Sequence, residues 1–219
     1  MTGMTDMTGM TDMTDRRNSP ETLDALAALI EITQKPVVLL EGRRTIPVDE
    51  YDKATAVAAF LAARFPKALF RSGNATGSDE AFSKGIVAVD ATRLQAIAPY
   101  KTHRMKARFE GASYAYPDAL SDQQKQEMVQ QSVLVSPKSS SLMAQLGKKG
   151  PLAAKADYLL RDTMKVIGFS EAFPKTTSAL FYVDLDSPMD GGTGHTIRVC
   201  QNAGILVVYQ NEWKQWIGL

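Results

Sequence analysis

The chain has 219 residues, enough for one domain with a full core and tight for two. Basic and acidic residues nearly cancel, 25 against 24 for a net charge of +1, so bulk charge does not suit it to gripping nucleic acid and only a local patch could do so. One cysteine, Cys200, excludes an internal disulfide, and with only two histidines the chain lacks the ligands of an ordinary His/Cys zinc site. No metal is therefore expected. No apolar run reaches the roughly 18 residues that span a bilayer, and the first residues lack the basic-then-apolar pattern of a secretory signal. The expectation is a cytoplasmic protein.

Residues 1–15 repeat Met-Thr-Gly/Asp without an apolar face, so residues 1–17 are expected to be a disordered low-complexity tail and 18–219 a single domain. Ser19-Pro20-Glu21 reads as a helix start, with serine as cap and proline at the first position, and Leu23, Leu26, Leu29 and Ile30 carry helical spacing. The period then changes. Val37–Leu40 is a continuous apolar run between Pro36 and Gly42, the pattern of a strand buried on both faces. Residues 50–65 predict an alanine-rich helix and Ala68–Phe70 a second strand. A helix is expected from Asp79 to about Lys84, a third strand at Leu94–Ala98, and irregular chain over 100–120. Helices follow at Ser121–Val135 and Leu152–Val166, then strands at Ala179–Asp184 and Ile205–Tyr209 flanking a helix near 194–203. Strands alternating with helices imply parallel pairing through right-handed crossovers. The fold class is α/β: an open, doubly wound, mostly parallel sheet with helices on both faces. Five visible strands are too few for an eight-stranded barrel.

Ligands of such sheets bind beyond the carboxyl ends of the strands, which puts three loops in view. The first holds Gly42, Arg43 and Arg44, with Glu41 before them: glycine allows close backbone approach, and arginine is a planar phosphate donor. The second runs Arg71-Ser72-Gly73-Asn74-Ala75-Thr76-Gly77-Ser78-Asp79. Its small residues can wrap a phosphate, Ser78 or Asp79 can cap the next helix, and the Asp79 carboxylate can accept from a sugar hydroxyl. It matches neither the GxGxxG fingerprint nor a P-loop. The third, after the strand near 180, holds Asp190, Gly191, Gly192, Thr193, Gly194, His195 and Thr196. It offers hydroxyls and helix-terminal N–H groups. His195 reads as either an acid/base or a hydrogen-bonding residue at a helix start.

In order, Gly42-Arg43-Arg44, then Ser72–Asp79, then Arg161-Asp162, then Gly191-Gly192-Thr193 resemble the motifs of the SMF/DprA–LOG (SLOG) superfamily of Rossmann-like proteins, and they spread over residues 37–210. The resemblance implies a Rossmann-like domain and an Arg161 that points into the site, with Asp162 holding it. It does not choose a function. The superfamily includes DNA-processing protein A, which binds single-stranded DNA, phosphoribohydrolases that activate cytokinins, a molybdenum-cofactor carrier group and predicted nucleotide sensors. Against the phosphoribohydrolase loop P-G-G-x-G-T-x-x-E, this chain has Asp190 for the proline, His195 for the threonine and Arg198 for the glutamate. A guanidinium cannot act as a base, so hydrolysis by that mechanism is disfavoured and Arg198 suits phosphate binding instead.

The leading expectation is a protein that binds a nucleotide or another small phosphorylated ligand, as a sensor or carrier, with no required cofactor and no assigned catalytic residue. Arg43, Arg44, Ser78, Thr193 and Arg198 would hold phosphate. One alternative is a nucleotide or N-glycosidic hydrolase, for which Glu41, Asp79, Glu80 and Asp190 are the available carboxylates. Another is a single-stranded-DNA-binding protein using Lys101, His103, Arg104, Lys106 and Arg108 with Tyr114 and Tyr116. Lys148-Lys149 reads as a surface turn. Trp213 and Trp216 read as packing or dimer-contact residues, and a homo-oligomer is expected.

Overall fold

The computed structural model describes residues 20–218. The expected tail and the Ser19 cap lie outside the described residues. In chain order the elements are α1 (Pro20–Ile32), β1 (Val37–Gly42), α2 (Val48–Arg64), β2 (Leu69–Ser72), α3 (Ser78–Asp90), β3 (Leu94–Ile97), β4 (Ser113–Ala115), α4 (Asp122–Val135), α5 (Ser140–Met143), α6 (Pro151–Ile167), β5 (Ser178–Tyr182), α7 (Gly191–Asn202), β6 (Leu206–Tyr209) and α8 (Gln210–Trp213).

All pairs in the sheet are parallel, in the order β4-β3-β2-β1-β5-β6. The chain lays down β1 to β4 in one direction, then returns to the far side of β1 for β5 and β6. Winding therefore reverses between β1 and β5. Alternation along the strands divides the core. Val38 and Leu40 of β1, with Phe70 and Leu180, pack against α1, α2 and α3 on one face. Leu39, Ala179 and Phe181 pack against Val166 of α6 and Ile197 of α7 on the other. Every residue of β1 is buried, as a central parallel strand covered on both faces requires.

The α/β class and the five expected strands are present, and the differences have physical causes. β4 was expected to be irregular chain. It is a three-residue edge strand paired only to β3, so it carries no apolar run. Helix α3 continues past Lys84 to Asp90, and Gly85 within it lets α3 press on α2: a Cβ there would lie 2.2 Å from the Thr55 carbonyl oxygen. Neither Ser78 nor Asp79 caps α3; the N-cap is Gly77. Helix α4 starts with a capping box between Ser121 and Gln124. Helix α7 starts at Gly191, three residues before its expected start, so the glycines form its first turn. Trp213 is a packing residue, fully buried with its indole N–H donating to the Phe181 carbonyl at 3.1 Å.

Candidate functional site

At the reversal between β1 and β5, the carboxyl ends of the strands open into a cavity of about 690 Å³. Glu41, Gly42, Arg43 and Arg44 line it from the end of β1, and Ala75 and Asp79 from the second loop. Helix α6 contributes Lys155, Tyr158, Leu159, Arg161 and Asp162, and α5 adds Leu142. Asp190, Gly191, Gly192 and Thr193 enter at the start of α7.

The floor is a buried charge network. Lys165 Nζ lies 2.6 Å from Glu41 and 2.8 Å from Asp162, and Arg161 Nη2 lies 2.7 Å from the same Asp162 oxygen. The Thr196 hydroxyl donates to the other Glu41 oxygen at 3.1 Å. Arg161 also donates to the Gly73 carbonyl at 3.2 Å, which ties α6 to the second loop. Burial pushes the Glu41 carboxyl up to about 7 against the opposing pull of Lys165. Burial would raise Asp162 too, but Lys165 and Arg161 outweigh it and hold its carboxyl below the ordinary range.

Asp79 organises the loops. Its two oxygens accept the backbone N–H groups of Gly42 (3.2 Å), Gly73 (3.1 Å) and Ala75 (3.3 Å). The sugar-contact role expected for it thus meets a carboxylate already engaged by the backbone. Ser78 donates through both its N–H (3.0 Å) and its hydroxyl (2.9 Å) to the Arg43 carbonyl, which pins the first loop to the second and removes Ser78 from the cavity wall. Ser72 is buried beneath, its hydroxyl directed at the Asp79 carbonyl. Gly77, at φ +76°, fits where a Cβ would stand 2.3 Å from the Arg44 carbonyl oxygen. At Gly73 a Cβ would stand 2.8 Å from Asp79 Oδ2, so both glycines let the loops pack closely.

In the third loop, Gly191, Gly192 and Thr193 face the cavity, whereas Gly194, His195, Thr196 and Arg198 do not line it. Gly194 packs on the Met189 backbone. Arg198 donates to the Met189 carbonyl at 2.9 Å and so braces the loop from behind, in place of the phosphate contact expected of it. His195 is buried with Nε2 3.1 Å from the Thr163 hydroxyl; burial lowers its pKa and keeps it neutral, a link between α7 and α6 outside the cavity. Thr196 belongs to the floor.

The remaining wall is cationic and aromatic. No side chain caps α7, and Gly191, Gly192 and Thr193 of its first turn line the cavity, which places the positive end of the helix dipole at its wall. Arg43 and Arg44 are exposed at the rim; Arg43 lies 3.2 Å from Asp184 in a half-exposed pair that binds it weakly. Tyr158 stands between two guanidiniums, with Arg44 5.5 Å and Arg161 5.2 Å from the ring centroid. Tyr158, Lys155 and Leu159 were not among the sequence candidates. The signal was available: Lys155, Tyr158, Leu159 and Asp162 are spaced i, i+3, i+4, i+7, one face of the helix that carries Arg161.

The basic segment borders the same cavity. The His103 ring packs edge-on against Tyr158 with centroids 6.2 Å apart. Arg104 pairs with Glu80 at 2.5 Å, and Arg108 covers the rings of Tyr114 and Tyr116 at 4.8 and 5.5 Å. Arg104 is thus paired with a carboxylate and Arg108 lies over two rings, while Lys101 and Lys106 remain exposed. Among the described residues, no cluster of three or more His, Cys, Asp or Glu is arranged to hold a metal ion. No helix among them is long and apolar enough to cross a membrane.

Fold and site together define a Rossmann-like α/β protein with a cavity at the topological switch point. No protein-family model matches the chain, and no curated protein matches it. Among solved structures it is similar to DNA processing protein A from Helicobacter pylori, described for its single-stranded DNA binding mode, across 83% of this chain and 67% of that one, with 14% identity and a TM-score of 0.45.

Proposed function

We propose that the cavity binds the phosphate and sugar portion of a nucleotide or nucleotide derivative, in a cytoplasmic protein of the SLOG superfamily that its loops resemble. The observation that carries this reading is the convergence on one cavity of the uncapped first turn of α7, the rim cations Arg44 and Lys155, and the Tyr158 ring. Helix-terminal N–H groups and guanidinium suit phosphate, and an aromatic face suits a sugar or base. The buried carboxylates beneath are compensated by Arg161 and Lys165, so they do not repel an anion at full strength.

Calorimetry with nucleoside mono-, di- and cyclic phosphates tests it. Saturable binding is expected, and an absence of binding by every member at millimolar concentration overturns it. Release of free base or phosphate in the same mixtures, lost in Glu41→Gln, would make the protein a hydrolase and not a holder.

A second reading, single-stranded DNA binding, is favoured by the position of the basic segment: His103 packs on Tyr158, so the exposed Lys101 and Lys106 belong to a segment that borders the cavity. The DNA processing protein A noted above is described for its single-stranded DNA binding mode. Salt-sensitive binding of an oligonucleotide, tighter than that of any mononucleotide, distinguishes this reading from the first.

A further inference from the structure

A second cavity, of about 260 Å³, opens beside the first at the start of α7. Val183, Asp184, Ser187 and Pro188, from the loop that joins β5 to α7, line it alone. Arg43, Asp190, Gly191 and Thr193 line both cavities, so the first turn of α7 and Arg43 stand at their junction. Independent small-molecule sites measure roughly 300 Å³ or more, which makes the second cavity an extension of the first.

The loop around it is held by its own backbone. The Ser187 N–H donates to the Asp184 carbonyl at 3.2 Å, and the Asp190 N–H to the Ser187 carbonyl at 3.3 Å. The Asp186 N–H donates to the Asp184 carboxylate at 3.3 Å. Gln210 clamps both backbone groups of the buried Val183, at 3.0 and 2.7 Å. Ser187 and Asp190 are exposed on this fixed frame.

Its chemistry differs from that of the main cavity. Among the described residues that line it, none is aromatic and Arg43 is the one cation. The carboxylates of Asp184 and Asp190 repel an acidic group but accept hydrogen bonds from neutral hydroxyls. Arg43 lies 3.2 Å from Asp184 in a half-exposed pair, weak enough for the guanidinium to turn to a phosphate at the junction. That turn frees an Asp184 oxygen to accept from a hydroxyl.

We propose that the second cavity holds a neutral sugar joined to the nucleotide's phosphates, so that the ligand is a nucleoside diphosphate sugar lying across the start of α7. Its phosphates meet Arg43 and the Gly191–Thr193 turn, and its terminal sugar donates hydroxyls to Asp184 and Asp190. The inference rests on the nucleotide reading and deepens it, because a nucleotide without that sugar leaves the second cavity unused.

Calorimetry on the full chain compares base-matched pairs: ADP with ADP-glucose, UDP with UDP-glucose, GDP with GDP-mannose. In at least one pair the sugar-bearing member is expected to bind roughly tenfold more tightly, although it carries less negative charge. UDP-glucuronate, whose sugar is acidic, is expected to bind more weakly than UDP-glucose. Asp184→Ala removes a hydroxyl acceptor and releases Arg43, so the gain from the sugar is expected to vanish while the plain diphosphate binds as well as before or better. Ser187→Trp fills the second cavity from an exposed position, keeps the backbone bonds of the loop, and is expected to abolish the gain with Tm unchanged. Equal binding within every pair by the wild-type protein overturns the inference and leaves the nucleotide reading standing. So does a gain that survives both substitutions, or a preference for the acidic sugar. A wild-type protein that binds none of these probes overturns both.

Discussion

Lys165 Nζ lies 2.6 Å from Glu41 Oε2, a fully buried contact that joins the last turn of α6 to the end of β1 directly beneath the cavity. Asp162 lies 2.8 Å from the same ammonium, so one cation holds two carboxylates. Removing it leaves both without that partner in a low-dielectric interior. Lys165→Met is expected to destabilise the fold by about 3–5 kcal/mol. A urea titration reads this as a lower midpoint with an unchanged slope, and a shift below about 1 kcal/mol would show that the network is solvated.

The same network makes stability depend on pH. Glu41 ordinarily titrates at 4.5 and is pushed up to about 7, first by burial. Between those values the folded chain keeps a proton that the unfolded chain has lost, so this group's contribution falls as pH rises from about 4.5 to 7 and levels off above. The fall is at most roughly 3 kcal/mol. Asp162 has the opposite sign: its lowered folded value gives stability that is present above the ordinary 3.8 and lost as pH falls through the folded value. His103 and His195 are also lowered, so their contribution rises with pH toward 6.5 and masks part of the Glu41 slope. The difference between Glu41→Gln and wild type isolates it. That difference is expected to shift in favour of the variant from pH 5 to pH 7.5, and a constant offset would count against the raised Glu41.

Two glycines of the site are expected to separate folding from binding. Gly42 is wedged where a Cβ would stand 2.3 Å from the Tyr182 carbonyl oxygen and 2.8 Å from the Ser78 side chain, so Gly42→Ala forces β1, β5 and α3 apart. A loss of about 1–3 kcal/mol is expected. Gly191 has φ +62°, and a Cβ there meets nothing within 4 Å. Gly191→Ala costs about 1–2 kcal/mol of backbone strain and sets a methyl group at the uncapped end of α7. Phosphate-bearing nucleotides are expected to bind roughly tenfold more weakly to it, with the fold retained. Thermal unfolding beside calorimetry for both variants checks the division, and equal binding by Gly191→Ala and wild type would remove the α7 terminus from the site.

Much of this architecture is legible in the residues. Val37–Leu40 reads as a central strand because a strand covered on both faces needs no alternation, and the glycine-bearing loops read as strand-end loops because they follow such runs. β4 is not legible, since Ser113-Tyr114-Ala115 has one pairing partner and no apolar stretch. Within the site, residue type does not reveal orientation. Thr193 and Thr196 are both threonines of the α7 start, yet Thr193 lines the cavity and Thr196 bonds to Glu41 beneath it. Arg44 and Arg198 both read as phosphate donors, and only Arg44 faces the cavity because Arg198 emerges behind its loop and is held by the Met189 carbonyl. Lys155 and Tyr158 escape notice because, away from any glycine motif, they look like ordinary helix-surface residues.

The basic segment offers the last discrimination, because its charges are not equivalent. Arg104 is committed to Glu80 at 2.5 Å and to the Asn74 carbonyl at 3.3 Å. Arg108 is committed to two tyrosine rings and the Lys101 carbonyl. Lys101 and Lys106 are exposed. If a single strand follows this surface, the lysines supply the phosphate contacts and each releases about one counterion. The double variant Lys101→Ala with Lys106→Ala is then expected to weaken an oligonucleotide and to reduce the slope of log affinity against log salt by roughly 1.4, about 0.7 per contact. Arg104→Ala is expected to act differently. It frees Glu80 and loosens the Asn74 loop, so it lowers Tm and mononucleotide affinity more than it changes the salt slope. An Arg104→Ala slope change as large as that of the lysine pair would mean that Arg104 leaves Glu80 for phosphate. An unchanged slope in the lysine variant would remove this segment from the nucleic-acid surface altogether.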